Sequence, residues 1–230
     1  MINKTIVITG ASKGIGKEIV LLLAAEGKNT IIALSRDLDL MRQNFDHLPN
    51  VHSYSFDLSG SVILQAKEIF SAHTTVDILI NNAGLLIKKP FEELSAANFQ
   101  QSFQVNFFGV VELIQYLTSR LEINGAHVVN ISSMGAYQGS AKFPELIAYA
   151  SSKSAICNFT EVYAEEKKDS NIRMNCLCLG AVQTEMLAEA FPGYLANTSA
   201  KEMASFIADF ALNKGGFFNG KILPVSNSTP

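Results

Sequence analysis

At 230 residues, of which 48% are hydrophobic, the chain is long enough for one large α/β domain with a sizeable core. Its 18 basic and 21 acidic residues give a net charge of −3, which argues against nucleic acid or an anionic membrane surface as a partner. No stretch approaches the roughly 18 apolar residues of a membrane span, and we expect no signal peptide before the first strand. The three cysteines are odd in number and come late in the chain, so we expect a reduced, cytoplasmic setting.

The residue types that bind metals form no ligand pattern. The four histidines are scattered, and Cys176 and Cys178 would share one face of a strand without further ligands nearby. We therefore interpret these two thiols as core residues and predict no metal site.

The first motif is a glycine-rich turn between a strand and a helix. The short β-branched run Thr5–Thr9 leads into Gly10–Gly16, and Ile15, Ile19 and Leu22 then recur on one helix face. Glycines allow a tight turn and close backbone approach, while a helix N-terminus offers free N–H groups to a phosphate. The spacing matches neither the common dinucleotide fingerprint nor the P-loop.

A second strand, Thr30–Leu34, ends beside charged residues that bear on cofactor choice. At this strand tip a carboxylate would accept from a ribose 2′-hydroxyl, whereas an arginine would pair with a 2′-phosphate. Arg36, with Lys13 in the glycine loop, favours NADP. Asp37 could instead serve NAD if the turn places it inward.

Two more strands and a long helix follow. We predict strands over Val51–Leu58 and Val76–Ile80, and a helix over 61–70 between them. From Ser95 to Leu121 an apolar stripe at spacings of three and four predicts one helix, mostly core-facing, whose phenylalanines could also form a subunit interface. Asn106 is a polar residue within this stretch, either surface-facing or part of a site. The stripe consists of Phe99, Phe103, Phe107, Val110 and Ile114.

The next strand and helix bring a phenol and an ammonium group together. The strand His127–Ile131 runs into two serines, and after a Gly- and Ser-rich loop a helix extends from Tyr149 to about Lys167. Tyr149 and Lys153 are four residues apart, so they lie on one helix face. A nearby cation lowers the pKa of a phenol, which would bring it closer to the working range of an acid or base.

The remainder completes an alternation of strands and helices. Further strands are predicted over Ile172–Leu179 and Lys221–Val225, with a helix over 200–212. The irregular region Leu187–Thr198 could cover a pocket. No linker or repeat divides the chain, so residues 1–230 are expected to form a single domain: a three-layered, doubly wound parallel sheet whose ligand crevice lies at the carboxyl ends of the strands.

Taken together, these motifs resemble the short-chain dehydrogenase/reductase family, and its 3-oxoacyl-carrier-protein reductases among others, over essentially the whole chain. Thr9–Gly16 is similar to the family's cofactor loop, and Asn81–Gly84 to its motif after the fourth strand. The family's catalytic tetrad is matched in type and order by Asn106, Ser133, Tyr149 and Lys153. The resemblance implies a Rossmann fold and an NADP(H)-dependent oxidoreductase acting on CH–OH or C=O groups.

The resemblance also implies a role for each matching residue. Ser133 would orient the substrate carbonyl, and Tyr149 would exchange a proton with its oxygen. Lys153 would bind the nicotinamide ribose and lower the Tyr149 pKa, while Asn106 would hold a water linked to Lys153. The cofactor contacts implied are Gly10, Ser12, Lys13, Gly14, Ile15, Gly16, Arg36, Asp57, Leu58, Asn82, Ala83, Gly84, Tyr149, Lys153, Gly180, Val182 and Thr184.

Three departures from the family pattern bear on the substrate. Leu179-Gly180 replaces the usual Pro-Gly, the loop between Ser133 and Tyr149 is longer than in many relatives, and Leu223–Ser228 lacks the common Asp-Gly-Gly ending. These differences make it unsafe to carry over a substrate from any one relative.

We therefore expect an NADPH-dependent carbonyl reductase acting on a small-molecule ketone or 3-oxoacyl substrate, and a homodimer or homotetramer. The alternatives are an alcohol dehydrogenase running oxidatively and a non-catalytic NADP-binding sensor. The substrate pocket is expected to be apolar and to include Met134, Tyr137, Leu187 and the residues around Phe191.

Overall fold

A computed structural model of the chain describes residues 3–226. Of the C-terminal departure at 223–228, Asn227 and Ser228 lie outside the described residues. In chain order the strands are β1 (Thr5–Thr9), β2 (Thr30–Ser35), β3 (Val51–Ser55), β4 (Ile78–Asn81), β5 (Ala126–Ser133), β6 (Ile172–Leu179), β7 (Val182–Gln183), β8 (Thr198–Ser199) and β9 (Ile222–Val225). The α-helices are α1 (Gly14–Ala25), α2 (Leu38–Phe45), α3 (Val62–Ile69), α4 (Ala96–Phe103), α5 (Gly109–Glu122), α6 (Ile147–Glu166), α7 (Glu185–Ala190) and α8 (Ala200–Asp209).

Seven of these strands form one parallel sheet in the order β3-β2-β1-β4-β5-β6-β9, and β7 pairs with β8 in a small second sheet. The chain reverses direction across the sheet between β1 and β4, which creates a crevice at the carboxyl strand ends. The predicted doubly wound parallel sheet is confirmed.

Helices cover both faces of the sheet because its strands are apolar on both sides. In β1, Ile6 and Ile8 pack into a cluster with α1, α2 and α8, while Val7 packs into a cluster with α3, α5 and α6. All three side chains are fully buried. This alternation builds the three predicted layers.

The long helix predicted from Ser95 to Leu121 is wrong in one respect, because a π-helical turn at Gln104–Phe108 separates α4 from α5. The apolar stripe is buried unequally on the two sides of this turn, because Val110 in α5 is buried whereas Phe99 in α4 is only half-buried. Phe108, outside the stripe, is exposed. The expected self-association through these phenylalanines stays a prediction.

The third strand is shorter than predicted and ends at Ser55. The chain then turns, because the backbone N–H and the hydroxyl of Ser59 both donate to Asp57 Oδ1, at 2.9 and 2.7 Å. Asp57 therefore lies in a loop at the carboxyl edge of the sheet.

Near the amino edge of the sheet a buried polar network joins β5 and β6 to the segment after α8. Asn175 donates to His127 Nε2 at 3.0 Å, and His127 Nδ1 lies 3.2 Å from the carbonyl oxygen of Ala211, which assigns the ring proton to Nδ1. Burial lowers the pKa of His127 to about 4.

None of the helices between residues 3 and 226 combines the length and the apolar character that a membrane span requires.

Candidate active site

The glycine turn after β1 is shaped by close backbone contacts. A Cβ atom on Gly16 would lie 2.2 Å from the carbonyl oxygen of Gly10, and one on Gly10, whose φ is +69°, would lie 2.8 Å from Ala83 Cα. The N-cap residue Lys13 makes no side-chain hydrogen bond to the helix. The first N–H groups of α1 are therefore available to an anion, as the sequence predicts.

The residues after β4 hold this turn in place. Asn82 Nδ2 donates to the carbonyl oxygens of Thr9 and Gly10, at 3.1 and 3.2 Å, and the Ala83 N–H donates to Thr9 Oγ1 at 3.1 Å. The family resemblance implies that Asn82 contacts the cofactor. Its side chain also fixes the glycine turn against β4.

At the tip of β2 the structure distinguishes Arg36 from Asp37, which the sequence left as alternative contacts for NADP and NAD. Asp37 is the N-cap of α2, and its carboxylate accepts from the Leu40 N–H at 3.0 Å. Arg36 is exposed and lines the cavity described below, and no described residue forms an ion pair with it. Lys13 lies 3.7 Å from Glu189 of α7, with both side chains more than half exposed.

Strand β5 and helix α6 bring the catalytic candidates together. Tyr149 and Lys153 lie in the first two turns of α6, and Lys153 Nζ donates to the carbonyl oxygen of Ile131 at 2.8 Å. The Ser133 hydroxyl accepts from the Gly135 N–H at 3.2 Å, and Ser133 and Tyr149 line the same cavity. Three of the four residues of the predicted tetrad thus face one site.

Burial controls the charge of this group. It raises the pKa of Tyr149 above its ordinary value, although the hydrogen bond with Ser133 opposes that effect. It also lowers the pKa of Lys153 to about 8, against the opposing influence of nearby cysteine thiols. From the sequence we expect Lys153 to lower the pKa of this phenol; in the structure burial is the largest influence on the Tyr149 pKa, and it raises it.

Asn106, the fourth tetrad candidate, lies in the π-helical turn with only 1% of its surface exposed. Its Oδ1 accepts from the Leu85 N–H at 2.7 Å, and its Nδ2 donates to the Leu85 carbonyl oxygen and to Ser152 Oγ, both at 2.9 Å. A Cβ atom on Gly84 would lie 3.2 Å from Lys153 Nζ and 3.5 Å from Asn106 Oδ1. Asn106 therefore positions the loop that passes beside Lys153.

A cavity of about 780 Å³ runs along the carboxyl strand ends and unites these residues. Of the predicted site residues, it excludes only Gly16, which packs under Gly10, and Asn106. Tyr137, expected in the substrate pocket, packs against the core instead. The predicted residues that line the cavity are Gly10, Ser12, Lys13, Gly14, Ile15, Arg36, Asp57, Leu58, Asn82, Ala83, Gly84, Ser133, Tyr149, Lys153, Gly180, Val182 and Thr184.

Sequence reasoning missed most of the substrate end of the cavity. Its walls come from four segments without a recognisable motif: the loop after β4, α4 with the π-helical turn, the loop before α6, and α7 with the residues after it. Only the apolar pair directly after Gly84 could have indicated them. The expected Met134, Leu187 and Phe191 do lie there. The additional lining residues are Leu85, Leu86, Gln101, Val105, Phe143, Leu146, Met186 and Tyr194.

A contact that we call the Lys88 clasp joins three of these four segments: the loop after β4, the loop before α6 and the residues after α7. Lys88 Nζ lies 3.3 Å from Glu145 Oε2 and 4.5 Å from the centre of the Phe191 ring. The Lys89 N–H donates to the Glu145 carbonyl oxygen at 2.9 Å. Glu145 has a φ of +67°, a strained backbone conformation for any residue other than glycine. The clasp therefore holds a strained residue directly before Leu146, which lines the cavity.

At the opposite wall, Gly180 sits where the family usually has Gly after Pro. Its N–H donates to the Val225 carbonyl oxygen at 2.9 Å, and a Cβ atom here would lie 2.6 Å from Ser226 Oγ. The substitution of Leu179 for proline leaves the end of β6 paired with β9.

One premise of the sequence analysis is wrong. Cys176 and Cys178 were interpreted as a pair without a further ligand, but Cys157 of α6 packs against both, and the three sulfur atoms lie within 4.8 Å of one another. The sequence could not show this because the contact depends on how α6 packs on β6.

Comparisons with known proteins agree with this geometry. The chain is 32% identical over 192 residues to the 7alpha-hydroxysteroid dehydrogenase of Escherichia coli K12, covering 80% of this chain and 73% of that protein. It is 29% identical over 198 residues to dehydrogenase/reductase SDR family member 7B of mouse, covering 82% of this chain but only 60% of that protein's length.

A solved structure of a short-chain dehydrogenase from Escherichia coli CFT073, complexed with NADPH, superposes with a TM-score of 0.87 at 26% identity, covering 97% of both chains. The family model described as short chain dehydrogenase matches residues 4–194, which is most of the sequence. The predicted family is therefore confirmed, and the chain belongs to the short-chain dehydrogenase family.

Proposed function

We propose that this protein is an NADPH-dependent carbonyl reductase that acts on an apolar ketone. The observation that supports this most directly is the convergence of Ser133, Tyr149 and Lys153 on a cavity that also contains Arg36. When bound, NADPH would supply the hydride to the carbonyl carbon. The glycine turn, whose backbone leaves no room for side chains, fits its pyrophosphate.

The chain's own residues would manage the carbonyl oxygen. Ser133 would donate a hydrogen bond to that oxygen and hold it beside Tyr149. Tyr149 would transfer the phenol proton to it as negative charge develops there, which is general acid catalysis. Lys153, buried next to Tyr149, would bind ribose hydroxyls and stabilise the phenolate left behind.

The electrostatics favour the reductive direction. Because burial raises the pKa of Tyr149, the phenol keeps its proton at neutral pH and is ready to donate it. Running as a dehydrogenase, the same residue would have to begin as a phenolate in a desolvated place, which is less favourable. The name of the E. coli relative is one observation that favours the oxidative alternative, so both directions should be assayed.

The charges at the tip of β2 favour NADPH over NADH. Arg36 is exposed and without an ion-pair partner among the described residues, whereas the Asp37 carboxylate is occupied as the cap of α2. An exposed guanidinium suits a 2′-phosphate, and a carboxylate engaged elsewhere is less available to a 2′-hydroxyl.

The substrate end of the cavity favours a bulky apolar ketone. Leu86, Val105, Phe143 and Leu146 supply an apolar wall, which offers surface to rings or alkyl chains but few polar partners. The steroid in the name of the E. coli relative is consistent with such a substrate. A 3-oxoacyl chain would suit the same wall.

The test is a screen of steroid, cyclic and 3-oxoacyl ketones, following NADPH absorbance, with NADH and the matching alcohols in parallel. We expect reduction of at least one apolar ketone with NADPH. The variant Tyr149→Phe should keep NADPH binding and lose about a hundredfold to ten-thousandfold in turnover. Turnover that survives in Tyr149→Phe would contradict the mechanism, and NADPH binding with no turnover on any ketone or alcohol would favour a sensor.

A further inference from the structure

The three cysteines of the chain meet at one point between α6 and β6. Cys157 Sγ lies 3.8 Å from Cys176 Sγ and 3.7 Å from Cys178 Sγ. Cys176 and Cys178 alternate along β6 and so project from the same face, the face on which α6 packs. None of the three exposes more than 8% of its surface.

These separations match those of sulfur ligands around a single metal ion. With a zinc–sulfur bond of about 2.3 Å, two sulfurs of a tetrahedral site lie about 3.8 Å apart. All three sulfur atoms lie within 4.8 Å of one another, so a single ion between them could contact all three.

A fourth donor lies beside the sulfurs. Ser132 Oγ is 3.3 Å from Cys157 Sγ, and Ser132 stands opposite Cys178 in the pairing of β5 with β6. Ser132 and Cys157 both donate to the Lys153 carbonyl oxygen, at 2.9 and 3.3 Å. The donor set is therefore three sulfurs and one oxygen, a set that selects soft cations over calcium or magnesium.

Charge and position also suit a cation with thiolate ligands. Three thiolates and a divalent cation would carry one net negative charge, and the cationic side chain of Lys153, one helical turn before Cys157 on α6, would offset part of it. Ser132, which contacts Cys157, lines the large cavity, so the cluster lies one side chain away from that cavity.

We propose that Cys157, Cys176 and Cys178 form a binding site for a soft divalent cation of the Zn²⁺ and Cd²⁺ class. This site goes beyond the reductase function and does not depend on it. An occupied site would tie α6, which presents Tyr149 and Lys153, to β6 through metal–sulfur bonds.

The test is titration of the full-length chain, reduced and freed of metal by a chelator, with Cd²⁺ alone. We expect an ultraviolet thiolate-to-cadmium band that saturates at one equivalent, a higher melting temperature, and displacement of Cd²⁺ by excess Zn²⁺. Cys157→Ala and Cys178→Ala should each weaken binding at least a hundredfold. Asn158→Ala, an exposed neighbour on α6, is the matched control and should bind as the parent does.

Several outcomes would overturn the proposal. They are absence of the band in the parent chain, saturation at a stoichiometry other than one, or an unchanged band in both cysteine variants. Fewer than three free thiols in the denatured, untreated chain would indicate a disulfide instead. Should an alanine variant fail to fold, Cys157→Ser keeps the side-chain size, and the titration of the parent chain still decides. None of these readouts requires catalytic turnover.

Discussion

Polar groups lie at both the amino and the carboxyl edge of the sheet, that is, at the two ends of its strands. The two edges differ in what these groups bind. Near the amino edge His127 and Asn175 are buried and paired with each other and with main-chain oxygens. At the carboxyl edge, the first N–H groups of α1, Arg36 and Tyr149 face a cavity. Polar groups with protein partners stabilise the fold, whereas those facing the cavity are available to a ligand. Substitutions at the two edges should therefore have separable effects.

The largest effect is expected at the carboxyl edge, in the variant Gly16→Ala. A Cβ atom there would lie 2.2 Å from the Gly10 carbonyl oxygen, so the glycine turn must move away from the N-terminus of α1. We expect NADPH affinity, measured by fluorescence titration, to fall about a thousandfold, or about 4 kcal/mol. Gly216→Ala is the control, because no atom lies within 4 Å of its Cβ position. Equal NADPH affinity in the two variants would contradict the assignment of the turn.

At the amino edge the expected effect is on stability and depends on pH. The pKa of His127 is about 4 in the folded chain against 6.5 ordinarily, so the unfolded state binds more protons between these values. His127 therefore contributes stability fully above pH 6.5 and loses it as the pH falls toward 4, by about 3 kcal/mol in total.

This contribution can be isolated by urea unfolding of the parent chain and of His127→Gln across that pH range. The difference in unfolding free energy between the two should shrink as the pH falls, while NADPH affinity at pH 7.5 should be similar. Substitution of the exposed His47 by Gln is the control and should leave the pH profile unchanged. A pH-independent difference between parent and His127→Gln would argue against a neutral buried imidazole.

A smaller effect is expected from Arg36→Ala. Loss of a charge-assisted contact to a 2′-phosphate should weaken NADPH binding about tenfold to thirtyfold and leave NADH binding unchanged. Arg42→Ala, a neighbouring exposed arginine paired with Asp39, controls for the change in net charge. If both variants lowered NADPH affinity alike, the effect would be a general one of surface charge.

The smallest effect is expected from opening the Lys88 clasp with Lys88→Met. Exposed ion pairs and cation–π contacts each contribute about 0.5–1 kcal/mol, so KM for the best ketone should rise about twofold to fivefold. KM for NADPH should stay constant, because the clasp lies at the substrate end. Lys89→Met is the control, since Lys89 contacts Glu145 only through its backbone N–H among the contacts described. A parallel rise in both KM values would show that the two ends of the cavity are not independent.

The contrast between the edges also explains what could be predicted from sequence. The parallel, doubly wound sheet and the positions of Ser133, Tyr149 and Lys153 follow from the alternation of strands and helices and from motifs at strand ends, because a parallel sheet brings the carboxyl ends of its strands together. The role of Asp37 could have been inferred as well. An aspartate directly before a helix is a preferred N-cap.

The remaining features depend on three-dimensional contacts that local sequence does not record. Cys157 joins Cys176 and Cys178 only through the packing of α6 on β6. The positive φ of Glu145 occurs in a residue that is held by partners in another loop, and the substrate wall is assembled from side chains of four separate segments. An apolar residue in a loop has no period to distinguish it from a core residue.

The π-helical turn at Gln104–Phe108 sets the direction in which Asn106 projects from the helix toward the active site. It holds one residue more than an α-helical turn would, and each residue rotates a helix by about 100°. Removing one residue from this turn would let α4 and α5 join into a regular helix while swinging Asn106 away from Leu85. The chain could then keep its fold, its apolar core and its remaining catalytic side chains, and yet lose the support of the loop beside Lys153. One added residue in the helix thus determines the rotation that places Asn106 beside Leu85.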